Sequence, residues 1–203
     1  MDIIDAIRND SFTEKLLKKL CDFQLCDELT SKNEKIFAKS HCIGDNESYN
    51  KYVLLDNGVI GFISRGNDEV EGCIAENLTD FFELIINYPD FLDFVSVELF
   101  NGLYEELFYK ENEILLKKLL SIFKPDNIIK HALSEQLGIA VDDKTALNSI
   151  YKFYSAVKKG ISNGYGNASA GNIMIYPFVA DEEMEVFSLK DWVDNWIIYY
   201  KDL

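Results

Sequence analysis

Behind Ser11, apolar residues recur every three or four positions, at Phe12, Leu16, Leu17, Leu20 and Phe23. This is the spacing of one helix face. Ser11-Phe-Thr-Glu14 has the form of a capping box, whose hydroxyl and carboxylate satisfy free amides of a first turn. The pattern predicts a helix from Ser11 to about Leu29. The texture then changes. Lys35–Ile43, Tyr52-Val-Leu-Leu-Asp56, Val59-Ile-Gly-Phe-Ile63 and Val70-Glu-Gly-Cys-Ile-Ala75 read as strands, rich in β-branched and aromatic residues and separated by turn formers. Asn57-Gly58 predicts a type I′ hairpin, which needs positive φ at both central residues. Arg65-Gly-Asn-Asp68 predicts the next turn, so the four strands make an antiparallel meander.

Helical spacing returns after Ala75. Asn77 is a capping residue for a helix Leu78–Tyr88, which Pro89 stops. Further helices are predicted over Ser96–Tyr109, Glu111–Phe123, Asp126–Leu137 with Gly138 as C-terminal cap, and Asp143–Lys159 followed by Gly160. A Gly-rich stretch, Ser162–Gly171, leads to strands Ile173–Val179 and Glu185–Phe187 around an acidic turn. Trp192, Trp196 and Tyr199 mark a last helix opening at Ser188. The expected class is α+β: an antiparallel β-sheet packed by several helices, with a helical C-terminal half and a terminal hairpin plus helix. One domain over residues 1–203 is expected, divisible into a sheet-containing core, 1–95, and a helical extension, 96–203.

Composition supplies the core: 48% of residues are hydrophobic, with 14 Phe and 11 Tyr, which argues against disorder despite a net charge of −15. The charge is unevenly spread. Between Gly66 and Tyr109 stand eleven carboxylates and no Lys, Arg or His. Their interleaving with apolar residues places them on the solvated side of folded structure. Asp68, Glu69, Glu71, Glu76, Asp80 and Glu83 form the candidate partner-binding set. Glu69 and Glu71 flank Val70 at a strand start and project together. Asp80 and Glu83 share a helix face opposite Phe81, Phe82 and Ile85. Such a field repels nucleic acid and anionic membranes and attracts a basic protein surface.

No reaction chemistry emerges. Gly164-Tyr-Gly-Asn-Ala-Ser-Ala-Gly171 lacks the preceding strand, the following helix and the Lys of a phosphate-binding loop, so a connector is the simpler account. His131 lies in a helical stretch, and His41 beside Cys42 falls on a strand that points the two side chains apart. No G-x-S-x-G setting accompanies any Ser. Cys21, Cys26, Cys42 and Cys73 are dispersed and show no C-x-x-C, so they read as reduced, buried hydrophobes. Folding is expected to need neither disulfide nor metal, and no cofactor is implied. Met1-Asp-Ile-Ile-Asp lacks the basic region and apolar run of a secretory leader, and no apolar stretch nears the ~20 residues of a membrane span. A cytoplasmic location is expected.

The block Tyr52–Ile86 resembles the SMI1/KNR4 superfamily, also called SUKH. The residues that carry the likeness are the hairpin Tyr52-Val-Leu-Leu-Asp-Asn-Gly-Val-Ile-Gly-Phe-Ile63, the turn Arg65-Gly-Asn-Asp-Glu69, and Val70-Glu-Gly-Cys-Ile-Ala75. These run into Asn77-Leu-Thr-Asp-Phe-Phe-Glu-Leu-Ile85, with Ala75, Leu78, Asp80 and Phe81 at the positions of that family's strand-to-helix segment. The resemblance implies a sheet-and-helix module that binds protein: a bacterial immunity protein neutralising a cognate toxin, not an enzyme. Two other classes fit the composition. A hydrolase-like cytoplasmic enzyme would need a cleft with titration-shifted His or carboxylates. A structural or regulatory scaffold would show a broad exposed apolar patch.

Overall fold

A computed structural model describes residues 3–26, 40–46, 50–63, 72–89, 105–121, 127–162 and 189–201. The fold is α+β: among these residues a five-stranded antiparallel sheet is accompanied by seven α-helices. The chain forms two compact units. One takes Met1–Pro89 and Pro125–Ala170, the other Asp90–Lys124 and Gly171–Leu203.

The first unit opens with α1 (Ile3–Asn9), for which no sequence signal was identified, and α2 (Ser11–Cys21). Asp10, not Ser11, caps α2: its carboxylate accepts from the Phe12 amide at 3.0 Å and from the Thr13 hydroxyl at 2.6 Å. The helix does not reach Leu29. Asp22 takes a left-handed conformation, φ 54°, and its amide donates to the Lys18 carbonyl, ending the helix. Phe23 then turns into the core and β1 (Gln24–Leu25) follows, so a residue that continues the helical pattern is spent on tertiary packing instead.

The sheet is the expected meander with one extra edge strand, in the order β1, β2 (Ser40–Asp45), β3 (Lys51–Leu55), β4 (Ile60–Ile63), β5 (Gly72–Ala75). The β3–β4 turn is not type I′. Gly58 alone is at positive φ, 85°; the Gly58 amide donates to the Leu55 carbonyl at 2.8 Å and the Val59 amide to Asn57 Oδ1 at 3.2 Å. That is a three-residue loop with a glycine in the left-handed position, a longer relative of the two-residue hairpin. A bulge in β2 shifts the register between Cys42, opposite Val53, and Gly44, opposite Tyr52. The shift puts Gly44 on the Tyr52 face, under Phe23. A Cβ built on Gly44 would lie 2.3 Å from the Phe23 ring and 2.7 Å from the Gln24 carbonyl oxygen.

One sheet face carries an aromatic cluster. Phe23 lies 5.5 Å from Phe82 and 5.8 Å from Phe81 by ring centroids, and Tyr52 stands 5.0 Å from Phe81 and 6.0 Å from Phe62. The other face carries Val53, Leu55 and Ile63, with Val59 against them. Every residue of β4 and β5 is buried, so both faces are covered there. α3 (Leu78–Asn87) supplies Phe81 and Phe82. It is capped by Asn77, whose Oδ1 accepts from the Asp80 amide at 2.9 Å.

Helix α5 (Asn127–Leu137) ends at Gly138, φ 67°, as its sequence implies. α6 (Asp143–Ser162) packs on β5 and α3 and runs through Gly160 instead of ending before it. Its cap is Asp142, whose carboxylate accepts from the Lys144 and Thr145 amides, each at 3.0 Å.

In the second unit, Glu105–Phe108 and Lys110–Asn112 are 3-10 turns, not the α-helical end predicted there. They precede α4 (Glu113–Leu120), which packs with α7 (Leu189–Lys201). Leu107, Leu116, Leu119, Val193 and Ile197 are buried. The expected strands Ile173–Val179 and Glu185–Phe187, the Gly-rich stretch 162–171 apart from Ser162, and most of the predicted helix Ser96–Tyr109 lie outside the described residues.

The cysteine expectation is corrected. Cys26 and Cys42 are joined by a disulfide, with their Cα atoms 6.2 Å apart, while Cys73, buried, and Cys21, half-buried, are not disulfide-bonded. Irregular spacing along the chain hid the pair, because antiparallel pairing of β1 with β2 brings residues 16 apart into bonding range.

Candidate functional site

Of the six acidic residues singled out from the sequence, Asp68, Glu69 and Glu71 lie outside the described residues. The other three follow β5 and enter α3, and each meets a lysine of α6. Glu76, exposed in the strand-to-helix link, pairs with Lys159. Lys152 bridges two carboxylates, its Nζ lying 2.6 Å from Asp80 Oδ1 and 2.7 Å from Glu83 Oε2. Positions 76, 80 and 83 fall on one stripe of α3 and its lead-in, and 152 and 159 are two turns apart on α6. The pairings run in opposite chain directions, which makes the seam antiparallel.

Sequence placed Asp80 and Glu83 together on one side of the helix, and the structure does so too. That side, however, is covered by α6, leaving the two side chains only 14% and 15% exposed. Asp80 also accepts from Asn77 Nδ2 at 2.8 Å, completing a reciprocal cap. Burial pulls the Lys152 ammonium down, but its hydrogen bonds and charge contacts with Asp80 and Glu83 outweigh this and hold it above the ordinary lysine value. The mutual repulsion of the two carboxylates is therefore compensated inside the fold. Glu76 remains the exposed member of the three.

A second polar concentration was not singled out from the sequence. It lies where the end of α3 meets α5 and the start of α6. Tyr88 is buried, and burial together with the nearby Asp143 charge pushes its phenol up. Lys130 is half-buried. Burial lowers its ammonium pKa against the opposing pull of Asp143 and Asp142. Asn87, 1% exposed, donates through Nδ2 to the Glu83 carbonyl at 2.9 Å, while its Oδ1 accepts no hydrogen bond among the described residues. Along α6 an open groove of about 560 Å³ is lined by Asp142, Lys144, Thr145, Leu147, Asn148 and Tyr151. The Asp142 cap already holds the first amides of that helix. Only periodicity marks these residues in sequence, and periodicity reports packing.

His41 on β2 and His131 on α5 are both exposed, and the disulfide removes Cys42 as a thiol partner for His41. Among the described residues no group of three His, Cys, Asp or Glu is placed to hold a metal ion. No described helix is long and apolar enough to cross a membrane. Comparison with family models, with curated proteins and with solved structures finds no match to this chain.

Proposed function

We propose that this chain is a protein-binding module of the SMI1/KNR4 (SUKH) kind, acting as a cytoplasmic immunity protein that neutralises a basic cognate toxin domain through an acidic face, without catalysis. The observation that supports it is the distribution of charge. Fifteen of the twenty basic residues belong to the described residues, against eighteen of the thirty-five acidic ones. The described frame is thus close to balanced, and much of its charge is compensated in pairs such as Lys152 with Asp80 and Glu83. The excess negative charge sits mainly in the remaining segments, among them the run that contains Asp68, Glu69 and Glu71. A concentrated field of one sign accelerates encounter with an oppositely charged partner. Glu76, exposed at the end of β5, extends that run onto the frame.

The test is to search the genes neighbouring this chain's own for a toxin domain and to measure co-expression and binding with the product found. Association should slow steeply as salt rises. Reversing Glu69 and Glu71 to Lys and neutralising Glu76, the partner of Lys159, to Gln should slow it by roughly tenfold or more and abolish protection. Asp80 and Glu83 should be left in place, because a lysine at either position would face Lys152 and disturb the fold. Unchanged association kinetics in the triple variant would reject the acidic face as the interface.

A further inference from the structure

We infer that the Cys26–Cys42 bond is a redox-controlled staple of the sheet's short edge strand, closed by exchange with a small-molecule disulfide, which leaves as two thiols, and opened by an external dithiol while the core stays folded. Strand β1 is held to β2 by only two residue pairs, Gln24 with Asp45 and Leu25 with Gly44. That is well below the ordinary strand length of about five residues. Cys26 is the next residue, and its bond to Cys42 fastens the strand end just before the β2 bulge. Neither cysteine is buried, so a reductant does not need the core to open. Neither belongs to the aromatic cluster around Phe23, Tyr52, Phe81 and Phe82, nor to the Val53, Leu55 and Ile63 cluster.

The remaining thiols are not placed to act as resolving partners. Cys42 pairs with Val53, on the sheet face opposite Tyr52, whereas Cys21 donates to the Leu17 carbonyl at 3.1 Å and interacts electrostatically with the Tyr52 phenol. Cys73 shares the Cys42 face, but β3 and β4 lie between them. It is buried, and burial pushes its thiol up to about 11, which keeps it protonated and unreactive. Opening the staple therefore requires a dithiol from outside. One reductant thiolate attacks a sulfur of the pair, forming a mixed disulfide and releasing the other cysteine as a thiolate that takes up a proton. The second reductant thiol then attacks its own sulfur in the mixed disulfide, closing the reductant's disulfide and freeing the second cysteine. Two electrons and two protons pass from the dithiol to the pair.

The experiment uses the full chain equilibrated with glutathione disulfide and then treated with dithiothreitol. Alkylation in denaturant followed by intact mass should count two unbonded cysteines before reduction and four after. Hydrogen exchange should lose protection at Leu25, Cys26 and Cys42 to Gly44 on reduction, while Phe62 and Ile85 keep theirs. Cys26→Ser should show the reduced exchange pattern throughout and ignore dithiothreitol. Four unbonded cysteines in the oxidised sample would overturn the staple itself. Unchanged exchange at the edge on reduction, or loss of protection at Phe62 and Ile85 together with it, would overturn its role as a local switch.

Discussion

Gly44 shows how one residue can depend on a register shift. The β2 bulge turns it beneath Phe23, whose ring fills the space a Cβ would take. Phe23 is 1% exposed and wedged among Phe81, Phe82 and Tyr52, so it cannot retreat cheaply. Gly44→Ala should therefore cost about 1–3 kcal/mol, measured as a lower urea midpoint with an unchanged slope. A variant as stable as the parent would mean that the strand edge yields. Little of this was legible beforehand. Asn77 and Gly138 announce their roles because a cap is a local contract between a side chain or a left-handed backbone and the nearest amides or carbonyls. Asp10 obeys the same chemistry one residue before the expected Ser11. Asp22 and Phe23 are different. Their conformation is set by a sheet whose strands come later in the chain, and helical periodicity cannot see it.

At the scale of elements, the α3–α6 seam joins apolar packing to a charged clamp. Lys152 serves both Asp80 and Glu83, and removing it would leave two largely covered carboxylates facing each other. Lys152→Ala should lower stability by about 1–2 kcal/mol, between the values typical of exposed and buried pairs. The pH dependence has a definite sign. The folded-state value of Lys152 lies above the ordinary 10.5, so its contribution is full below 10.5 and is lost as pH rises through the higher folded value. Urea melts between about pH 9 and 11.5 should show the parent losing stability more steeply than Lys152→Ala, which keeps only the slope of the other groups that titrate there. The helices and the meander were readable because each carries its own period. The seam was not. Its partners stand 69 and 72 residues apart, and a solvated acidic face and a covered one have the same local sequence pattern.

For the whole molecule, a net charge of −15 implies self-repulsion that ions should relieve. Raising sodium chloride from low salt to about 0.5 M should lift Tm by roughly 2–4 °C, equivalent to ~1 kcal/mol for a chain of this size. A falling Tm would show that ion pairs such as Lys152 with Asp80 and Glu83 outweigh the general repulsion. The two-unit division has a different consequence, because the first unit is assembled from residues on both sides of Asp90–Lys124. On a ribosome, β5 emerges some seventy residues before α6, the helix that packs against it. At ~5–20 residues per second that is an interval of roughly 4–14 s. Throughout it, the nascent chain carries an apolar strand that still lacks its covering helix, and a whole stretch destined for the other unit is translated meanwhile. Chains arrested before Lys152 should accumulate as aggregates or chaperone clients, so maturation of this fold is tied to completing its synthesis.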